Sequence, residues 1–343
     1  MILRSRCGLD VNMDKMKGIV ILPRFYDYSD AIIDELSKTF DIDMYYEEPV
    51  RILFLLCRKI QNVIKKNWFF DLFNRIIYLR LKRKNCHYDF LFVIRGNIIN
   101  PKLIVRIKQD FLKSGASSVY YTWDSFCNLP NAVALAKVFN RKYSFDLVDV
   151  KNYPEFQHLP LFYTKDFHLD NSQSTSMKYD LVCIASFNVF RYKYLVDLRR
   201  NNSNLRIFIK LYIDKELYLI KKLTDKFFST VDTDDLVFHP LPKSEIIMNY
   251  QQGIAILDIT HENQNGLSMR TIEAIGIGKK LVTNNCDVKG YDFYSSNNVF
   301  LLDSAVSPHL NEDWFRLPYK YSDETRQRYS IDNWARVITT GVV

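Results

Sequence analysis

The feature that most constrains this chain is an alternation, met twice, of short apolar runs with longer helix-patterned segments. "GIVIL" (18–22), "YDFLFVIRG" (88–96) and "SSVYYTWD" (117–124) have strand length and are rich in β-branched and aromatic residues. Between them, "PRFYDYSDAIIDELSKTF" sets Ile32, Ile33 and Leu36 at helical spacing behind a cap at Ser29 or Asp30. "DIDMYYEEP" reads as a further strand, and "NPKLIVRIKQDFLKSG" as a helix ended by Gly115. The second cycle begins with "YDLVCIAS" (179–186). It continues through "LRIFIKLYI", "GIAILDIT" (253–260) and "KKLVTNN", with helical segments between them. Strands of five to eight residues alternating with helices, twice over, predict an α/β fold of two parallel-sheet domains.

The length agrees, since 343 residues exceed one ordinary core. Ten glycines and ten prolines are too few for an all-β chain of many tight turns. The polar stretch "TKDFHLDNSQSTSMK" (164–178) is the best linker. The expected organisation is a lead-in over 1–15, a first domain over 16–165 and a linker over 166–178. A second domain over 179–320 follows, then a C-terminal helix over 321–343 able to cross back to the first domain.

Several classes are excluded or weakened. No apolar run approaches the roughly 18 residues that span a bilayer. Neither GxGxxG nor GxxxxGK[ST] occurs, which weakens dinucleotide and P-loop readings. The six cysteines, Cys7, Cys57, Cys86, Cys127, Cys183 and Cys286, form no CxxC pair, so reduced thiols and a cytoplasmic setting are expected. "DTDD" (232–235) contains a DxD but lacks other site features; it reads as a solvated turn, and no metal or other cofactor is expected.

The charge is localised. Arg51, Arg58, Lys59, Lys65, Lys66, Arg75, Arg80, Lys82, Arg83 and Lys84 stand against Asp71 alone, so this window of +9 accounts for the whole net charge of +8. Cations interleaved with Leu, Ile, Phe and Trp68 suit an interfacial helix on an anionic lipid surface. That predicts a helical insert over 51–84, peripheral on the inner face of the plasma membrane. Arg58, Lys59, Lys65, Lys66, Trp68, Arg80, Lys82, Arg83 and Lys84 would meet the lipid. Nucleic-acid binding through the same helix is the non-catalytic alternative; no RNP, KH or helix-turn-helix signature accompanies it, and no nucleic acid is expected as partner.

The most chemically suggestive segment is "ILDITHENQNGLSMRTIEAIG". Polar residues there join a strand's carboxyl end to a helix start, where backbone N–H groups and the helix dipole favour a phosphate. Glu273 would stand about a turn into that helix, placed to accept two hydrogen bonds from vicinal hydroxyls.

This segment resembles the donor-binding region of GT-B glycosyltransferases, in which a glycine-containing loop leads into a helix bearing the ribose glutamate. "NGLSMRTIEAIGIGKKLVTNN" is similar to the same region in lipopolysaccharide and capsule glycosyltransferases with CgeB-like C-terminal domains. "YYTWDSFCNLPN", "YSFDLVD", "LPLFY" and "YDLVCIASFNVFRYKYL" add to a likeness over roughly 17–303. The resemblance implies two Rossmann-like domains facing across a cleft, and a nucleotide-sugar donor, UDP-linked, bound by the second. It implies that Glu273 holds the ribose, that backbone N–H groups and Arg270 meet the phosphate, and that Asn265, Gly266, Leu267 and Ser268 belong to the same donor-binding segment. Arg191 and Lys193, after "IASFNVF", would neutralise the diphosphate, and His239 in "FHPLPKSE" would meet the base. One departure is visible: retaining members carry two glutamates flanking seven residues, and Asn265 stands where the first would be.

The implied activity is metal-independent transfer of a sugar to a lipid-linked or growing surface glycan. The first domain would hold the acceptor and supply a base: Asp124 at the end of "VYYTWD", then Asp27 after the first strand, with Asp146 and Asp149 third. His158 and His168 lack metal-ligand spacing and read as structural. A nucleotide-sugar epimerase of GT-B type is the enzymatic alternative.

Overall fold

The structure, a computed structural model, describes residues 15–25, 27–48, 68–168, 176–260, 266–302 and 309–342. Two six-stranded sheets carry the architecture. The first holds β1 (Met16–Leu22), β2 (Phe40–Tyr46), β3 (Tyr88–Ile94), β4 (Leu112–Thr122), β5 (Arg141–Ser144) and β6 (Gln157–His158) in the order β2-β1-β3-β4-β5-β6. The second holds β7 (Tyr179–Ser186), β8 (Ile207–Tyr212), β9 (Leu236–Val237), β10 (Gly253–Asp258), β11 (Lys280–Thr283) and β12 (Val299–Leu301) in the order β12-β11-β10-β7-β8-β9. Each described pairing in the second sheet is parallel, as are the β1–β2, β1–β3, β3–β4 and β5–β6 pairs of the first. The central strands are apolar because helices cover both of their faces: Ile19, Val20, Leu91, Phe92, Leu181, Val182, Ile256 and Leu257 have no exposed surface.

The chain divides into two compact units, Met1–Thr122 with Leu129–Lys142, and Trp123–Asn128 with Tyr143–Val343. This division places Asp124, Asp146 and Asp149 with the second unit, where the sequence placed them in the first domain. The segment after β6 is tied to the chain's end within that unit. Tyr163 N–H donates to Tyr329 O at 2.9 Å, Ile331 N–H to Tyr163 O at 3.0 Å, and Phe162 packs on Trp334 with ring centroids 4.5 Å apart.

Four features differ from their sequence expectation. The first helix spans Tyr28–Leu36 with Asp27 at its N-cap position, so Ser29 and Asp30 lie inside it. The single C-terminal helix expected over 321–343 is two helices, Asp323–Arg328 and Ile331–Thr340, each with its own serine cap. The helix beginning at Pro101, capped by Asn100, stops at Phe111 and not at Gly115. Leu112 turns extended and pairs with Tyr88, so strand pairing overrides the helical pattern, and Gly115 takes φ +80° in open space within β4. "DTDD" is not simply solvated. Its Asp235 is buried and receives both terminal nitrogens of Arg199 at 2.9 Å, a two-pronged ion pair.

Of the basic window, residues 51–67 lie outside the described residues, and Arg58, Lys59, Lys65 and Lys66 with them. Trp68–Lys84 is a helix. It is seated by Ile77, Leu81 and Asn74, whose amide donates to Ile98 O at 2.8 Å and accepts from Asn100 N–H at 2.9 Å. Its opposite side exposes Leu72, Arg75, Leu79, Arg80, Lys82 and Arg83. Lys84 is exposed too but reaches Asp43 at 2.8 Å, so it is partly committed within the protein. No helix among the described residues is long and apolar enough to cross a membrane. Cys86, Cys127, Cys183 and Cys286 are free thiols.

Candidate functional site

In the second sheet the strand order reverses between β7 and β10: β8 and β9 extend to one side of β7, and β10, β11 and β12 to the other. Such a switch point opens a crevice at the carboxyl ends of the two strands, the usual ligand position in parallel sheets. Two helices begin there. The one over Val189–Asn201 is capped by Asn188, which accepts from Phe190 N–H at 2.9 Å and Arg191 N–H at 3.3 Å. The one over Met269–Ile277 is capped by Ser268, which accepts from Thr271 N–H at 3.3 Å. Both dipoles direct positive ends toward the switch point.

Asp258, the last residue of β10, organises this end. It has no exposed surface, and it accepts from Ser268 Oγ at 2.5 Å, from Thr271 Oγ1 at 2.8 Å and from the Arg270 guanidinium. Arg270 also donates its Nε–H to Ile184 O at 2.8 Å. Burial, the largest influence, would lower the pKa of Arg270, but Asp258 first and then Tyr250, Cys183 and Glu273 together outweigh it and raise it. Arg191 bridges the two switch-point strands, giving Nε–H to Ile259 O at 2.8 Å and Nη1–H to Ser186 O at 2.6 Å. Burial, with Arg270 close by, lowers its pKa. Two guanidiniums and two helix N-termini thus converge on these strand ends, with Asp258 pairing one of the guanidiniums.

Residues 261–265, Asn265 included, lie outside the described residues, yet both flanks are held by consecutive asparagines after β11. Asn284 Oδ1 accepts from Thr260 N–H at 2.8 Å, and Asn285 Nδ2 donates to Gly266 O at 3.2 Å. Gly266 is required by contact: a Cβ there would meet Cε2 of the buried Phe145 ring at 2.2 Å. Leu267 is buried beside it. Gly276, on the helix that follows, is also pressed close, to Tyr163, with 2.5 Å to its Cγ from an ideal Cβ.

Glu273 is half-buried on that helix, three residues after Arg270 and therefore on its side of the helix. Burial raises the Tyr250 hydroxyl well above its ordinary value, and the charge of Glu273 adds to it, which places Glu273 electrostatically near Tyr250. The structure thus brings Gly266, Leu267, Ser268, Arg270 and Arg191 to the carboxyl ends of β7 and β10, with Glu273 one turn after Arg270 on the same helix. Lys193 does not join them. Two residues beyond Arg191 it lies about 200° round the helix, exposed, with its ammonium 5.1 Å from the Phe227 ring. His239 is exposed just past β9, the edge strand.

A second cluster surrounds the loop that carries Asp124. Ser125 Oγ donates to Asp146 at 2.5 Å, and Phe126 N–H donates to Asp149 at 2.9 Å, so two buried carboxylates lock residues 125–126. Asp146 also caps the following helix through Val148 N–H at 2.8 Å. Burial, and then the charge of Asp146, push Asp149 up to about 6 although Phe126 N–H opposes this. Asp146 and Asp149 are therefore positioning groups, and Asp124 is the half-buried carboxylate on the loop they hold. Asp27, exposed before the Tyr28–Leu36 helix, belongs to the first unit. His158 is half-buried, and desolvation lowers its pKa, with Nε2 3.3 Å from Phe145 O; His168 meets the Tyr163 hydroxyl at 3.2 Å.

Sequence reading missed Asp258, whose role depends on partners 10 to 13 residues later. It also missed Arg95, which pairs with Glu48 at 3.0 Å and lies 3.5 Å from the buried Glu47 beyond the first sheet's strand ends. The signal available was "RG" after an apolar strand, since Arg95 and Gly96 both take φ +66°. Among the described residues no group of three His, Cys, Asp or Glu side chains could hold a metal ion.

No protein-family model matches the sequence, and no curated protein matches it. Solved structures do resemble it. A glycosyltransferase from Rickettsia africae ESF-5 superposes with a TM-score of 0.56 over 94% of this chain and 96% of its own, at 10% identity. AviGT4, a glycosyltransferase involved in avilamycin A biosynthesis, gives 0.53 over 95% and 99%, at 11% identity. The fold is that of GT-B enzymes. It is shared by UDP-GlcNAc 2-epimerase from Neisseria meningitidis bound to UDP-GlcNAc, at 0.52 over 94% and 98% with 11% identity.

Proposed function

We propose that the protein is a GT-B glycosyltransferase that moves a sugar from a nucleotide-sugar donor, UDP-linked, to a lipid-linked or growing surface glycan of lipopolysaccharide or capsule type. The observation that carries this is the switch point of the second sheet, where helix dipoles and cationic side chains converge. Two capped helix N-termini, Arg191 and Arg270 surround the strand ends, and Glu273 follows on the same helix. In this reading the donor diphosphate lies against the N-terminal N–H groups, with the two guanidiniums supplying long-range positive potential. Arg270 acts mainly through Asp258, which fixes the helix start that presents those N–H groups. Glu273 accepts both ribose hydroxyls. Charge developing on the departing diphosphate is stabilised by these fixed dipoles and cations, without a metal ion. Asp124 is the group assigned to take the acceptor hydroxyl's proton. The cationic side of the Trp68–Lys84 helix is assigned to the anionic inner face of the plasma membrane, where a lipid-linked acceptor would be found.

A second reading, nucleotide-sugar 2-epimerisation, is favoured by the shared fold of the UDP-GlcNAc 2-epimerases. The two differ in their need for an acceptor. Incubation with UDP-sugars and a membrane extract containing lipid-linked glycans, followed by separation of products, tests the proposal. Acceptor-dependent release of UDP supports transfer. An altered sugar nucleotide formed without acceptor supports epimerisation and rejects transfer.

A further inference from the structure

The helix after β8, Lys215–Thr224 with sequence KELYLIKKLT, is turned inside out relative to an ordinary surface helix. Only Tyr218 is buried, packed on Phe238 and Phe228 with ring centroids 5.3 and 6.3 Å away. At about 100° per residue, Leu219, Leu223, Ile220 and Leu217 project between roughly 100° and 260° from Tyr218, away from the protein. They are 50%, 88%, 58% and 47% exposed. The lysines occupy the other positions. Lys215, Lys221 and Lys222 fall within about 60° of Tyr218 on both sides of it, and Lys222 lies 5.8 Å from the Tyr218 ring. Lys226 extends the row just past the helix. Glu216, at about 160°, is an acid within the ridge at its amino-terminal end, so Leu219, Ile220 and Leu223 form the inserting part. Asp214 and Asp225 are engaged at the helix ends, accepting from Leu217 N–H at 3.1 Å and Phe227 N–H at 3.0 Å.

We infer that this helix is a lipid-docking surface for an anionic bilayer, on the second unit and separate from the cationic window of the first. An aliphatic ridge flanked on both sides by lysines matches the interface of a bilayer: the ridge enters the acyl boundary while the ammonium groups reach headgroup phosphates. A second copy of the chain fits less well. A stable protein interface takes roughly 20–30 residues a side, and this ridge offers four aliphatic side chains. Isologous pairing along it would also face lysines with lysines. The inference does not depend on the sugar-transfer proposal.

The test uses the full chain with vesicles of phosphatidylcholine alone or with phosphatidylglycerol. Leu223→Trp reports the ridge directly. Its emission should shift to the blue and be quenched by brominated lipid in the anionic vesicles. Ile220→Ser combined with Leu223→Ser, at side chains that support no core, should lower sedimentation with those vesicles about tenfold or more. Lys221→Glu with Lys222→Glu should lower it similarly, and more so at low salt. An unquenched Leu223→Trp on vesicle-bound protein would overturn the inference, as would wild-type sedimentation of the serine variant. Conversion of a dimer to a monomer by that variant, seen in analytical ultracentrifugation, would assign the ridge to a second copy instead. Nucleotide-sugar affinity, read in parallel, separates failure here from failure of the proposed activity.

Discussion

Replacing Asp258 by asparagine should destabilise the second unit more than its conservative chemistry suggests. The carboxylate has no exposed surface, and its partner Arg270 keeps only 15% of its side chain exposed. Asparagine retains the volume and one acceptor, so the Ser268 contact at 2.5 Å and the Thr271 contact at 2.8 Å, which share Oδ2, can both survive, but the charge opposite Arg270 is lost. Removing one member of a buried ion pair costs about 3–5 kcal/mol, because the remaining charge is stranded. The weakened hydroxyl bonds belong to the same network and do not add in full. A loss of about 3–5 kcal/mol is a large share of the 5–15 kcal/mol typical of a domain. Tryptophan fluorescence during urea unfolding is a suitable assay, since Trp123, Trp314 and Trp334 belong to the second unit and only Trp68 to the first. The midpoint should fall with the slope unchanged. Joint replacement, Asp258→Leu with Arg270→Met, should recover much of the loss because no charge is then left buried. A loss below about 1 kcal/mol for Asp258→Asn would refute the pairing and its role in fixing the helix start.

Further outcomes follow from the same contacts. Gly276→Ala should cost about 1–3 kcal/mol by overpacking against Tyr163, which cannot retreat while its hydroxyl is bonded to Arg326 O at 2.9 Å; urea unfolding measures it. Gly266→Ala should displace the Phe145 ring and lower nucleotide-sugar affinity more than stability, as calorimetric titration beside a melting curve would reveal. Asp149, held at about 6, keeps its proton more tightly folded than unfolded. Its contribution is therefore full below about pH 4 and lost as pH rises through about 6. Asp149→Asn should accordingly be the more stable protein at pH 7.5, by about 2 kcal/mol, with the advantage vanishing near pH 4; chemical unfolding at both pH values decides it. Arg80→Glu with Arg83→Glu should weaken binding to anionic vesicles and flatten its salt dependence without changing nucleotide-sugar affinity.

The sheets were legible because their central strands are apolar on both faces, and a fully buried strand leaves an unmistakable run. Element ends were less so. Lys113 and Ser114 continue a helical pattern, and only the pairing of Leu112 with Tyr88, outside that local window, ends the helix at Phe111. The helix that starts after the glycine loop was readable from the sequence, but the direction of Arg270 was not. Its partner Asp258 is on a strand, and nothing in the spacing says that the guanidinium turns inward. Asp235 shows the same limit, since Arg199 lies 36 residues away. In KELYLIKKLT the pattern marks an amphipathic helix, yet which face meets the protein depends on Tyr218 finding Phe228 and Phe238. Local periodicity records what a face is made of; long-range packing decides where it points.

The central claim is that the switch point of the second sheet, with Glu273, holds a nucleotide-sugar. Calorimetric titration of the wild-type protein and Glu273→Ala with UDP-, GDP-, dTDP- and CMP-sugars tests it most directly. Binding of at least one sugar nucleotide is predicted, weakened about 10- to 100-fold in Glu273→Ala as two charge-assisted hydrogen bonds are lost, with the urea midpoint unchanged. Affinity equal in the two proteins, or no binding of any sugar nucleotide by the wild type, would contradict it.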